Sequence, residues 1–349
     1  MYKKAILFFL FFMCLIIENL STACSLAVIN SKDKNIIARN MDWMSPDGYV
    51  VKNYSQVYRK AKVILIKPYK WTSKYGSISL NLEENTYIPG IGKVDFPGCG
   101  INEKGLFAAE LWVVRPPAIK YPAHDKNPWL TTAEVVQVLL DTCSNVDEAI
   151  NCFKELNLEG FNFLRWLGLA IDLHWFISDS SGNAAILEYP DAKLSVHSRP
   201  LHLAMTNHFY EKSREELKKY KGFGGKIAIP YEVPFEKRTS LMRFVLTCDS
   251  IINIQNSKNI NIDAGFKLLK RVSSLDSPVI EGKNDLITTQ WSVVYESKKK
   301  TVTWISSKNS SKRWINLNKI DFSGQDMQQG KRISVQSSDV GDITDKFQN

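Results

Sequence analysis

Hydrophobic and polar positions divide the chain into an apolar leader and a long region of changing period. Every position over 5–17 is apolar, Lys3 and Lys4 stand before that run, and Ser21-Thr22-Ala23 supply small side chains after it. A helix that spans a bilayer needs about 20 apolar residues, so this shorter run predicts a signal peptide over residues 1–23 rather than an anchor. Cleavage is expected between Ala23 and Cys24. A lipoprotein-type signal also cuts before a cysteine, but it wants a bulky aliphatic residue three positions upstream, where Ser21 stands.

Beyond residue 23 the apolar period alternates between that of strands and that of helices. A hairpin is predicted over 28–40, folded at Ser31-Lys32-Asp33-Lys34 and ending in the polar cluster Arg39-Asn40-Met41-Asp42. Strands are predicted over 63–66, 76–82 and 106–114, the last after a turn at 98–105. Apolar residues at helical spacing predict helices over 131–143 and 146–156, each opening on a Thr, Ser or Asn cap. Strands return at 173–178, 184–189 and 194–196, helices at 211–220, 237–252 and 262–272, and a last strand pair at 289–295 and 301–305. This succession of strands, helices, strands, helices and strands predicts an α+β layered fold, two sheets packed together with helices outside them. With no Pro/Ser-rich linker and no internal repeat, residues 24–349 are expected to form one domain.

Composition adds little to this picture and removes several function classes. Hydrophobic residues make up 44% and charged residues 23%, as in an ordinary globular protein, and no second segment is long and apolar enough to cross a membrane. The formal charge of +9 is dispersed, falls to +8 without Lys3, Lys4 and Glu18, and accompanies no nucleic-acid motif. It favours anionic surfaces or small anionic substrates only weakly. Of the 6 cysteines, Cys14 leaves with the leader, so Cys24, Cys99, Cys143, Cys152 and Cys248 remain. An odd number in an oxidising compartment leaves at least one thiol unpaired or paired between chains, and Cys24 is the natural one to be free. Cys143 and Cys152 flank a helix-to-helix turn, Ser144-Asn145, which suits either a bridge or two ordinary buried thiols. No cysteine or histidine spacing fits zinc, so neither metal nor cofactor is expected.

A cysteine that becomes the first residue carries its thiol and a free amine within one side chain of each other. That amine, with an unperturbed pKa of about 7.7 to 8.0, can take the thiol's proton near neutral pH. The nucleophile then brings its own base, and nearby positive charge would raise the thiolate fraction.

Around this cysteine the sequence resembles the choloylglycine hydrolase and penicillin V acylase family of N-terminal-nucleophile hydrolases, over nearly all of residues 24–349. The resemblance rests on Cys24-Ser25-Leu26-Ala27, Ala38-Arg39-Asn40-Met41-Asp42-Trp43, Gly100-Ile101-Asn102-Glu103-Lys104-Gly105-Leu106, His174-Trp175-Phe176-Ile177-Ser178-Asp179 and Met205-Thr206-Asn207, in the family's order. It implies a four-layer αββα sandwich and hydrolysis of a linear amide through an acyl-enzyme. By the same resemblance Cys24 is the nucleophile, Arg39 polarises its thiol, Asp42 holds the α-amine, and Asn207 points an amide N–H at the developing oxyanion. Assembly as a homo-oligomer, a tetramer, is likewise implied, and the predicted signal peptide adds export to the periplasm or medium.

Two departures from the family pattern bear on the site. Bile-salt hydrolases often carry asparagine, and Gram-positive penicillin V acylases tyrosine, where this chain has Trp112. Together with Trp43 it suggests a hydrophobic clamp for an acyl group, the second oxyanion donor being either backbone or the indole N–H. The downstream catalytic arginine, which the family sets in a Ser-Arg-Phe context, falls on Arg238 by gapless counting, with Arg243-Phe244 in reserve. The expected substrates are small N-acyl amides: penicillin V-like phenoxyacyl amides, N-acyl homoserine lactones and conjugated bile salts, in that order. The rival readings are an exported binding protein on an impaired amidase scaffold, which the altered arginine region supports, and an amidase of longer N-acyl lipids.

Overall fold

The computed structural model describes residues 24–348 except 44–46, 89–91, 114–118, 124–126, 161–171, 235–236, 274–287 and 325–329, with side chains of 83–95 also outside it. The leader expected over 1–23 therefore lies outside the described residues. Two large sheets dominate. The first runs Ala204–Met205, Ser25–Asn30, Asn35–Trp43, Thr288–Glu296, Thr301–Ser306, Asn309–Asn316 and Gly341–Asp342. The second runs Ser195–Ser198, Ala184–Glu188, Leu173–Ser178, Phe107–Trp112, Gly92–Asn102, Ser77–Ile88, Gly48–Asn53 and Arg332–Ser334. Within these two sheets the described neighbouring strands are antiparallel, save the parallel contact of Asn309–Asn316 with Gly341–Asp342.

Helices Ser240–Ser257 and Ile262–Val272 cover the outer face of the first sheet, and Val135–Thr142 with Val146–Lys154 cover that of the second. The sheets meet face to face: the Phe107 and Tyr295 rings lie 4.8 Å apart, and Arg39 Nη2 donates across the gap to Glu110 O at 2.7 Å. This is the αββα sandwich. With a helix layer on one side and a sheet on the other, the central strands have no solvated face. Asn35–Trp43 is accordingly buried at every position except Trp43, and its polar side chains must find partners inside. Asn40 does so with structural effect, accepting from Ser292 Oγ at 2.6 Å and donating to Leu269 O at 3.1 Å, which ties helix to sheet.

Local chemistry explains three of the helix starts. Asn145, Asn261 and Thr239 each accept from a backbone N–H in the first helical turn, those of Glu148, Ala264 and Met242. Two expectations fail. Residues 63–66 form no strand despite their apolar run, because Leu65 takes a left-handed φ of 59° and is fully exposed. The predicted turn at 98–105 shrinks to its second half, since Gly98 and Gly100 lie inside strand Gly92–Asn102. These glycines answer to close approach: a Cβ on Gly98 would sit 2.9 Å from Met41 Cε, and one on Gly100 would sit 2.7 Å from Leu140 Cδ1. The true turn follows Asn102, whose Oδ1 accepts from the backbone of Lys104 and Leu106, with Gly105 at φ 87°.

Candidate active site

Strand register assembles residues distant in sequence at one end of the first sheet. Leu26 pairs with both Arg39 and Met205, so Cys24, two positions earlier, falls between the far end of Asn35–Trp43 and the residues just after Met205. Its sulfur lies 4.0 Å from Met41 Sδ, and its backbone nitrogen donates to Asn207 Oδ1 at 2.9 Å. On the other side Thr289 pairs with Asp42, just before a bulge at Gln290, and its hydroxyl donates to Asp42 Oδ1 at 2.5 Å. Arg243 arrives from the first turn of the helix that packs on Ser25–Asn30.

Hydrogen bonds lock this group into one frame. Asn207 Oδ1 accepts from Arg243 Nη2 at 2.8 Å as well as from Cys24, its Nδ2 donates to Trp112 O at 2.8 Å, and its backbone N–H donates to Ser240 Oγ at 2.9 Å. Arg243 Nη1 donates to Cys24 O and, at 2.7 Å, to Ser25 Oγ, while its Nε reaches Arg238 O at 3.2 Å. Asn207 and Arg243 are both buried, so each bond works in a low-dielectric setting where it orients strongly.

Charge is arranged around the sulfur. Burial pushes the Cys24 thiol up, while the Arg39 guanidinium, the Asp42 backbone N–H and Arg243 pull against that rise and the Asp42 carboxylate adds to it. Burial also works against the Arg39 charge, but Cys99, Cys24 and Tyr295 beside it outweigh that and carry its pKa above the ordinary value. Burial raises Asp42 to about 6, with Arg243, Thr289 and Arg39 restraining the rise. The net direction is upward, which favours the thiol over the thiolate.

The expected residues Cys24, Arg39, Asp42 and Asn207 thus come together, whereas Arg238 does not join them. Its Nε donates to Val233 O at 2.7 Å and its Nη1 to Ser273 O, and the guanidinium beside Cys24 is that of Arg243. The reason is helical register: Thr239 caps the helix, so Arg238 precedes the first turn while Arg243 lies on the buried face with Thr247 and Ser250. In the chain with residue 23 still joined, Cys24 N–H donates to Asn207 Oδ1, Asp42 Oδ1 accepts from Thr289 Oγ1, and Asn207 Nδ2 donates to Trp112 O. Ser25, Ser240 and Thr289 complete the frame and were not anticipated; polar residues inside otherwise apolar strand and helix faces were their only signal. Trp43 follows Asp42 in its strand and Trp112 gives its carbonyl to Asn207; their rings pack together with centroids 5.8 Å apart and planes tilted by 47°, both half-buried. Among the described residues no group of three or more His, Cys, Asp or Glu is placed to hold a metal ion.

A buried cysteine whose backbone nitrogen and thiol are both held by a polar frame suits acyl transfer, and known proteins agree. A penicillin V acylase from Pectobacterium atrosepticum is 26% identical over 324 residues, covering 86% of this chain and 83% of that protein. The solved structure of a penicillin V acylase from Agrobacterium tumefaciens superposes with a TM-score of 0.72 at 24% identity, over 93% of this chain and 96% of that one. A conjugated bile acid hydrolase from Clostridium perfringens gives 0.69 at 18% identity, over 92% and 98%. Residues 23–330 match the linear amide C–N hydrolases of the choloylglycine hydrolase family, and to that family of hydrolases this chain belongs.

Proposed function

We propose that this hydrolase is exported, loses residues 1–23, and cleaves N-acyl amides through Cys24, whose freed amine is the catalytic base. The observation that carries the reading is the pairing of a thiol raised by burial with a backbone nitrogen held 2.9 Å from Asn207 Oδ1. While that nitrogen belongs to a peptide bond it cannot accept a proton; once freed it is an amine of ordinary basicity beside a thiol that needs one. The amine takes the thiol proton, sulfur attacks the substrate carbonyl, and the oxyanion is met by the second Nδ2 hydrogen of Asn207 and one further donor, backbone or the Trp112 indole. Arg39 stabilises the thiolate as it forms. The ammonium then protonates the departing nitrogen, and water, deprotonated by the same amine, attacks the thioester to release the acid and restore the thiol. Asp42 takes the hydrogens of the amine that Asn207 leaves.

Export supplies the cleavage this chemistry requires, and a homotetramer is the assembly that goes with it by resemblance. Phenoxyacyl amides of the penicillin V kind head the substrate order, supported by the Trp43 and Trp112 rings and by the name of the Pectobacterium relative. N-acyl homoserine lactones and conjugated bile salts follow. With Arg243 bonded to Cys24 O, the altered arginine region no longer favours an impaired binding protein.

A chain carrying Met-Gly ahead of Cys24, with those residues retained, tests the amine. It is expected to fold normally and show no amide hydrolysis, while N-terminal sequencing of the exported active protein begins at Cys24. Equal turnover of penicillin V by the blocked and unblocked chains would remove the amine from the mechanism.

The tryptophans are separable from the chemistry. Trp43→Ala is expected to raise KM for phenoxyacetyl and medium-chain acyl amides by about tenfold with kcat largely kept, because lost apolar contact removes binding common to ground and transition states. Trp112→Ala lowers kcat as well, by up to about 10²- to 10³-fold if its indole N–H donates to the oxyanion. Trp112→Phe keeps the apolar face without the N–H and so reports the donor alone. Wild-type KM in all three folded variants would place the acyl group elsewhere.

A further inference from the structure

Outside the active site, Cys143 and Cys152 form a second thiol group, on the helix layer of the other sheet. Cys143 caps the C-terminus of helix Val135–Thr142 and Cys152 lies in helix Val146–Lys154. Both face Thr142 Oγ1, at 3.5 Å for Cys143 and 3.9 Å for Cys152. That hydroxyl also donates to Val138 O at 2.7 Å, which fixes its oxygen as a neighbour shared by both sulfurs. The backbone beneath is fixed: Cys143 N–H donates to Leu139 O, and Cys143 O accepts from Asn102 Nδ2 at 2.7 Å. Asn145 caps the second helix through Glu148 N at 2.9 Å. Cys143 is buried and Cys152 partly exposed, and the neighbouring Cys143 thiol, with Thr142 and Lys74 nearby, holds Cys152 below the ordinary thiol value.

We propose that Cys143 and Cys152 are a modification site that closes to an intramolecular disulfide on meeting a low-molecular-weight disulfide such as oxidised glutathione. The Cys152 thiolate attacks one sulfur of the reagent, forming a mixed disulfide and releasing one glutathione thiolate, which takes up a proton. Cys143, giving its proton to solvent, then attacks Cys152 Sγ and expels the second glutathione. Two cysteine thiols are oxidised and one reagent disulfide is reduced to two thiols. The bond staples the turn between the helices, a closed loop short enough that its effect is local. Its chemistry does not involve Cys24 and stands independently of the amidase reading.

The chain itself supplies a direct assay, because no Lys or Arg lies between Asn127 and Phe153, so trypsin releases both cysteines in one peptide, 127–154. The full chain is equilibrated with oxidised glutathione, quenched in acid, unfolded, alkylated with iodoacetamide and digested. The expected peptide lacks both carbamidomethyl groups and two hydrogens, and gains both groups after dithiothreitol; Cys99 and Cys248 are alkylated in either case. Dithiothreitol should also lower the melting temperature by about 5 °C, an effect absent from the Cys143→Ser/Cys152→Ser double variant. A peptide carrying two carbamidomethyl groups after glutathione treatment overturns the proposal. So does a stable glutathione adduct on Cys152, which would show that the sulfurs cannot meet.

Discussion

Cys24→Ala is expected to abolish hydrolysis of penicillin V and of N-acyl homoserine lactones, by at least about 10⁴-fold in kcat/KM, as when the nucleophile of an acyl-transfer site is removed. The substitution deletes one sulfur that faces Met41 and leaves the backbone bonds to Asn207 and Arg243 untouched, so the melting temperature should stay within a few degrees. Cys24→Ser keeps an attacking atom but should fall below a few per cent, since a hydroxyl is far harder for the α-amine to deprotonate. Amine release followed over hours, with intact mass to look for acyl-enzyme, decides the matter. An alanine variant that keeps more than a few per cent of activity would sink the mechanism.

Arg243→Gln is the second large effect, and its contrast with Arg238→Gln separates two arginines that sequence counting confuses. Arg243 joins Cys24 O, Ser25 Oγ and Asn207 Oδ1 from a fully buried position. Removing a buried charge from such a network costs about 3–5 kcal/mol, and loosening Asn207 should lower kcat by about 10²-fold or more. A pH signature accompanies the loss. Burial raises Asp42 to about 6 and Arg243 restrains that rise, so without Arg243 the carboxyl titrates higher and the acid limb of kcat/KM moves to higher pH. Arg238→Gln should leave that limb in place and change kcat only a few-fold, because its bonds to Val233 O and Ser273 O lie outside the frame. Pre-steady-state rates and pH profiles of both folded variants make the comparison; an unmoved acid limb in Arg243→Gln would separate Arg243 from Asp42.

Much of this arrangement was legible before the structure. The hairpin of residues 28–40 was visible because its two strands carry regular alternation with a polar turn between them, and helix Ile262–Val272 because its apolar stripe is bounded by Asn261 and Ser273. Cys24 stood out through the apolar run and the small residues that precede it in the sequence. The arginine did not, since gapless counting ignores where a helix begins; Thr239 as a cap, followed by Arg243, Thr247 and Ser250 on one face, carried the information. Residues 63–66 misled because hydrophobicity alone cannot report a left-handed φ at Leu65. Gly98 and Gly100 read as turn residues because the side chains that crowd them, Met41 and Leu140, come from other layers. Thr289 was hidden for the same reason, its partner Asp42 lying on a strand joined only by tertiary pairing.

The two tryptophans are anchored by atoms that every residue possesses. Trp112 meets Asn207 through its carbonyl oxygen, and Trp43 meets Gln290 Nε2 in the same way at 2.7 Å. Exchanging either ring therefore leaves the hydrogen bond beneath it in place, whereas changing Asn207 or Arg243 cuts several at once. On the function proposed above, the rings that meet the acyl group can be changed one side chain at a time, while the residues around Cys24 stay tied to one another. A laboratory selection for new acyl preferences should accordingly find its gains at positions 43 and 112, and should recover descendants that differ in what they cleave while sharing one way of cleaving it.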